Sequence, residues 1–223
     1  MSNALTSLST YASSDPASLP PTVLLRSSDD SIVIWDKFPK AMFHFLLLPR
    51  IKGPLTRENT TNLSSFIKWD KSKALNCLLS MKGDAEAVKV MIQDEMTKKH
   101  GFTWDIWMGF HSVPSMEHVH LHIISSDLCS PALKNKKHYN SFHPKLGFFL
   151  HFDEVMSWFE DSGNGGLTLN MPSLREEQYE PLLKTDLTCW KCGEEVRNIP
   201  LLKSHLEDEW KKERKESERR GKR

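Results

Sequence analysis

His118, His120 and His122 stand in the run His-Val-His-Leu-His, with Ile123 and Ile124 behind it, and no other stretch limits the fold as tightly. Side chains of a strand point alternately to opposite faces, so three imidazoles two residues apart line one face. Val119, Leu121 and Ile123 line the other and need a core to bury against. Imidazoles with a pKa near neutrality suit phosphorus chemistry, one ring attacking while its neighbours donate protons or hydrogen bonds. A metal site and a plain surface strand are the competing readings.

The pattern around this run is α+β. Strands are expected from Ser31 to Trp35 and from Phe43 to Leu48, with Pro39 in the turn between them, and from Trp104 to Phe110. Helical spacing covers Thr60 to Phe66, Asn76 to Lys82 and, more strongly, Ala85 to His100, where Val88, Met91 and Ile92 share a face. The expected organisation is a flexible arm over 1–22 with a short helix, a catalytic domain over 23–160 and a linker over 161–186. A compact unit over 187–210 and a basic tail over 211–223 follow. Gly163, Gly165 and Gly166 mark a loop or hinge in the linker.

The net charge is only +1, but it is unevenly placed: residues 211–223 carry about +5 and the remainder about −4. Nucleic-acid affinity would therefore have to come from local patches. Of the four cysteines only Cys189 and Cys192 are closely spaced, which argues against a disulfide framework and for a reducing compartment. No apolar run is long enough to span a membrane, and no secretory signal is expected.

Cys189-Trp-Lys-Cys192 is followed after twelve residues by His205 and after three more by Glu209. A Cys-x2-Cys turn supplies two thiolates, and a helix places i and i+4 on one face, so zinc is the expected ion and Glu209 its fourth ligand. Glu207, Asp208 or water are the competitors for that place. With four positions filled the site is structural, and Leu201, Leu202 and Leu206 supply the small core it pins.

These two constellations together resemble the aprataxin branch of the histidine-triad (HIT) superfamily. The match extends to Asp36-Lys-Phe-Pro-Lys40-Ala, His44 and Leu46-Leu-Leu-Pro49, to Gly109-Phe-His-Ser-Val-Pro-Ser-Met116, and to Ser130-Pro-Ala-Leu-Lys-Asn-Lys-Lys-His-Tyr-Asn-Ser-Phe142. It covers about residues 30–210. The fold it implies is a HIT-like domain with an antiparallel sheet and flanking helices, followed by a small zinc-finger domain. Two departures stand out: no forkhead-associated domain precedes the HIT domain, and Glu209 occupies the commoner position of a second zinc histidine.

The activity the resemblance implies is hydrolysis of AMP from a 5′-adenylated DNA end, the product of an abortive ligation. His120 would attack the AMP phosphorus, and water would then release AMP from the adenylated histidine. By the same resemblance His111 donates to the leaving phosphate, His122 binds the non-bridging oxygens and His118 orients the nucleophile. Asp36 lies near the ribose and Lys40 near the DNA end, with a surface ion pair as the other account. Ser115 and Met116 sit in the loop entering the triad, where a hydroxyl and a backbone N–H reach phosphate. Lys134, Lys136, Lys137 and His138 read as a solvated loop on spacing alone and as DNA-backbone contacts with the family match. The N-terminal helix with Leu5, Leu8 and Tyr11 is either a wedge against an exposed base pair or packing on its own domain.

The resemblance also admits removal of a 3′-guanylyl cap. The alternatives are a general nucleoside phosphoramidate or dinucleotide hydrolase, and a zinc-finger DNA-binding module without catalysis. A monomer in the nucleus, with the cytoplasm as a second location, completes the expectation. The zinc unit is expected to be separable, so that chelation weakens DNA binding and spares turnover of small substrates.

Overall fold

The structure, a computed structural model, describes residues 4–159 and 172–220. Six strands form one antiparallel sheet: β1 (Leu24–Ser27), β2 (Ser31–Trp35), β3 (His44–Pro49), β4 (Ile106–His111), β5 (Leu121–Ser125) and β6 (Phe149–His151). Their order is β1-β2-β3-β5-β4-β6. The alternation that predicts the strands also divides the sheet's two faces. Val33, Phe45, Leu47, Leu121 and Ile123 face one core, and Ile32, Ile34, Leu46 and Leu48 belong to another.

The first core is closed by α2 (Leu63–Trp69) and α3 (Lys71–His100). Where two helical segments were expected, α3 is a single 30-residue helix. Its buried stripe of Ala74, Leu78, Met81, Ala85, Val88, Ile92 and Met96 advances by threes and fours without a break. That burial outweighs the cost of Gly83 in mid-helix, about 1 kcal/mol. Asp70 caps the start by accepting from the Lys73 N–H, and Gly101 ends the helix at φ +77°. Asp84 accepts from the hydroxyls of Ser28 and Ser31, each at 2.7 Å, which ties α3 to the β1–β2 hairpin.

The N-terminal segment, expected as a flexible arm, is docked over its described part. Helix α1 (Ser7–Ser13) buries Leu8 and Ala12 against Ile32, Ile34, Leu46 and Leu48. Leu5 stays exposed and Tyr11 partly so. Two apolar positions four apart are enough to hold so short a helix on a ready apolar face.

The C-terminal unit shares a core with the sheet. Leu187, Cys189, Leu202 and Leu206 pack with Ile124, Tyr139, Phe142 and Phe149. Trp190 stands edge-on to Trp107, with ring centroids 4.8 Å apart. From α7 (Ile199–Arg220), Trp210 packs against His100, Phe102 and Trp104. Three further short helices lie among the described residues: α4 (Lys136–Asn140), α5 (Phe152–Ser157) and α6 (Glu176–Tyr179). Residues 172–186, expected as linker, contain α6 and a 3-10 turn at Glu180–Lys184. The glycines at 163, 165 and 166 lie outside the described residues. No helix among the described residues is long and apolar enough to cross a membrane.

Candidate active site

The imidazole run does not sit on a regular strand throughout. β5 begins only at Leu121, and His118 has φ +90°, a conformation costly for a residue with a Cβ. The irregularity has a use: it brings the His118 carbonyl to His120 Nδ1 at 2.7 Å. A carbonyl only accepts, so His120 carries its proton on Nδ1 and leaves Nε2 as a bare lone pair. The His118 ring is fixed the same way, donating Nε2–H to the Pro49 carbonyl at 2.8 Å.

His122 is set by a longer chain. The Lys40 N–H donates to His44 Nδ1 at 3.1 Å, so His44 bears its proton on Nε2. That proton faces His122 Nδ1 at 3.0 Å. His122 then carries its own proton on Nε2, which is buried without a partner among the described residues. An unpaired buried donor beside a bare imidazole lone pair suits a developing phosphoryl oxygen. His111, at the end of β4, presents a second buried unpaired Nε2, and its ring lies 4.3 Å from that of His122.

Burial keeps these rings uncharged. Desolvation lowers His44 and His118 to about 4, holds His111 and His122 well below the ordinary value, and lowers His120 as well. Near neutral pH the His120 lone pair is therefore available.

Gly109 pairs with His122 and His151 in the sheet. A Cβ there would meet the Leu150 carbonyl at 2.5 Å and the Phe149 ring at 2.6 Å. Only glycine lets Phe149 cross close over β4 at this point.

Asp36, His44 and His122 offer three donor atoms within metal-binding distance. They make a poor site, because the Lys40 N–H already occupies His44 Nδ1. Coordination through Nε2 would demand an imidazolate.

The rim residues divide. Asp36 accepts from the Phe38 N–H at 2.6 Å and lies 3.6 Å from His44. Burial lowers Lys40, whose ammonium donates to the Phe38 carbonyl. The Lys134 backbone N–H donates to His138 Nδ1 at 3.2 Å, and the Lys40 and Lys134 charges both act to lower that ring. Lys136 and Lys137 instead pair with Asp186 at 3.0 Å and Glu180 at 3.5 Å. Ser115 is exposed and Met116 half-buried, the latter packed against the α1 cluster.

Away from the imidazoles, Cys189, Cys192 and His205 bring their ligand atoms within 4.8 Å of one another, with Cys192 Sγ 3.2 Å from His205 Nε2. Tetrahedral zinc with bonds of ~2.0–2.3 Å keeps ligand atoms ~3.3–3.8 Å apart, so these donors fit. Gly193, at φ +78°, closes the turn with an N–H to the Cys189 carbonyl. Glu194 faces His205 Nδ1 at 3.6 Å, an arrangement that orients a ligating ring. Glu209 is not in this group. It lines a cleft with Trp104, Trp190, Lys191 and Trp210.

Sequence reasoning leaves two residues without a defined part. His44 enters only within the family match; the signal is its even spacing from Leu46 and Leu48, which puts all three on one face of β3. Phe142, which enters only within a longer match, is packed against His44, His111 and His122.

Comparisons with known proteins agree with this architecture. Residues 14–138 match the family described as scavenger mRNA decapping enzyme C-term binding. Residues 145–212 match the C2HE / C2H2 / C2HC zinc-binding finger. That description includes a C2HE form, two cysteines, a histidine and a glutamate.

The chain is 34% identical over 197 residues to aprataxin of Gallus gallus, covering 86% of this chain and 52% of that protein. It spans about half the length of the vertebrate relatives it matches. It is 32% identical over 196 residues to an aprataxin-like protein of Saccharomyces cerevisiae, covering 82% of this chain and 85% of that one. A structure of the aprataxin ortholog Hnt3 in complex with DNA superposes with a TM-score of 0.68 at 28% identity, covering 94% of this chain and 96% of that one. With the imidazole run on a HIT-like sheet and a finger packed against it, this chain belongs to the aprataxin family.

Proposed function

We propose that this chain hydrolyses 5′-adenylated DNA ends, releasing AMP through an adenylyl-histidine intermediate. The observation that carries the reading is the pair of fixed tautomers: a lone pair on His120 Nε2 and an unpaired proton on His122 Nε2. His120 Nε2 attacks the AMP phosphorus, a P–N bond forms, and the P–O bond to the DNA 5′-phosphate breaks. The leaving phosphate takes the bonding electrons and needs little help. The ring becomes positive in this step, and its Nδ1–H to the His118 carbonyl stabilises that charge. His122 holds a non-bridging oxygen. Water then attacks phosphorus, the P–N bond breaks, the lone pair returns to Nε2, and AMP leaves while one water proton passes to solvent.

DNA as the partner is supported by the Hnt3–DNA complex among the structural relatives and by the cations at the rim, Lys40 and Lys134 beside His138. The finger is proposed to hold zinc through Cys189, Cys192 and His205; Glu209, one turn further along α7, would have to swing out of its cleft to supply the fourth ligand. There zinc would supply cross-linking of the turn to α7 rather than chemistry.

The test is AMP release from a nicked duplex bearing a 5′-adenylate, set beside release from a free nucleoside phosphoramidate at equal concentration. Fast release from DNA, lost in His120→Ala, is the expected result. Release from the free substrate alone would move the chain to the general nucleotide hydrolases.

A further inference from the structure

The metal-binding turn and the imidazoles are joined by one short piece of chain, Lys136 to Phe142. At one end Tyr139 is fully buried. Its hydroxyl donates to the Thr188 carbonyl at 2.8 Å and accepts from the Trp190 N–H at 2.9 Å, one residue to either side of Cys189. Asn140 donates to the Thr185 and Leu183 carbonyls at 2.7 and 3.2 Å. Three residues after Tyr139, the Phe142 N–H bonds back to the Tyr139 carbonyl at 3.0 Å. The Phe142 ring lies 4.7, 5.0 and 5.1 Å, centroid to centroid, from those of His111, His122 and His44.

We propose that Tyr139 and Phe142 are positioning residues through which the metal-binding turn aligns the imidazoles. Phe142 touches three of the rings at once and brings no polar atom of its own. It therefore keeps His111 Nε2 and His122 Nε2 aimed and dry without competing for them. Its place is set by Tyr139, and Tyr139 is latched by backbone groups flanking the first thiolate. An ion joining Cys189 to Cys192 and His205 stiffens that backbone. Release of the ion loosens the latch, Phe142 shifts, and the two Nε2 atoms lose alignment. The finger is thus part of the catalytic domain's frame, and the separability expected from the sequence does not follow from this packing. The inference rests on His120 and His122 as the reacting pair.

Its test uses the full chain, with Tyr139→Phe to remove the latch hydroxyl while keeping the ring, and adenosine 5′-phosphoramidate, which needs no DNA contact. The expected result is a fall in kcat of about tenfold with KM nearly unchanged, as for lost alignment. Imidazole proton–carbon spectra supply a readout independent of turnover. The His44, His111 and His122 signals, placed by the Phe142 ring current, should move while those of His100 and His151 stay. Chelation should produce the same kcat loss and shifts in the parent and a smaller further change in Tyr139→Phe, where the latch is already cut. Unmoved signals in the folded variant, or equal chelation effects in parent and variant, overturn the proposal. A parent inactive on the phosphoramidate would count against the functional reading alone, because the spectra still decide the positioning.

Discussion

His44→Gln should flatten the acid sensitivity of folding by a predictable amount. An exposed imidazole titrates near 6.5, whereas His44 is lowered to about 4 by burial. Between those values the unfolded chain binds the proton and the folded chain does not. The stability tied to this ring is therefore complete above pH 6.5 and is lost as pH falls towards 4. Linkage over that interval gives about 2 kcal/mol lost between pH 7.5 and 5 for this one ring. His118, also lowered to about 4, adds a similar loss, and His111, His120 and His122 act in the same direction. Against a total stability of ~5–15 kcal/mol, the parent should unfold on mild acidification. Urea unfolding followed by tryptophan fluorescence at pH 7.5, 6 and 5 measures this, and loss in acid of a metal bound as proposed would fall equally on parent and variant. The variant should lose about 2 kcal/mol less than the parent across that range. Equal losses in the two proteins would refute the assignment of His44 as a buried neutral ring.

Other expectations follow from single contacts. His120→Ala should lower turnover by at least ~10³-fold with little change in melting temperature, read by AMP release and calorimetry. Gly109→Ala should destabilise the fold by ~2 kcal/mol or more, because its Cβ meets backbone and a buried ring; thermal melting checks this. Lys134→Ala should weaken duplex binding and lower the salt slope by about one, whereas Lys136→Ala and Lys137→Ala, whose ammoniums pair with Asp186 and Glu180, should do less. Fluorescence anisotropy across a salt series separates them.

Alternation and spacing made much of this molecule legible. The row of histidines with apolar spacers placed one face of the run in the core, and Val119, Leu121 and Ile123 are buried there. Cys-x2-Cys and a histidine after twelve intervening residues brought three ligand atoms together because a short turn and a helix have fixed pitch. What pattern alone could not carry was anything set by a backbone exception or a distant partner. The positive φ of His118 has no sequence mark, yet it decides which nitrogen of His120 is free. The continuity of α3 through Gly83 depended on a sheet face to pack against. Lys136 and Lys137, drawn to Asp186 and Glu180, look along the chain just like Lys134, which clusters with His138 instead.

The chemistry of the cluster rests more on hydrogen-bond direction than on residue type. Three histidines in a row carry six ring nitrogens, and either nitrogen of each could hold the proton. Two backbone carbonyls, Pro49 and His118, settle two of the rings by accepting. One backbone N–H, from Lys40, settles the third through His44. All three backbone groups belong to parts of the chain held by the fold itself: the end of β3, the turn entering β5 and the turn between β2 and β3. The proton pattern is thus a property of the folded backbone, present before any substrate arrives. In the proposed mechanism this gives His44 a part without touching the reacting atoms: with His44 turned or lost, nothing stops His122 from taking its proton on Nδ1 and presenting a lone pair where that mechanism needs a donor.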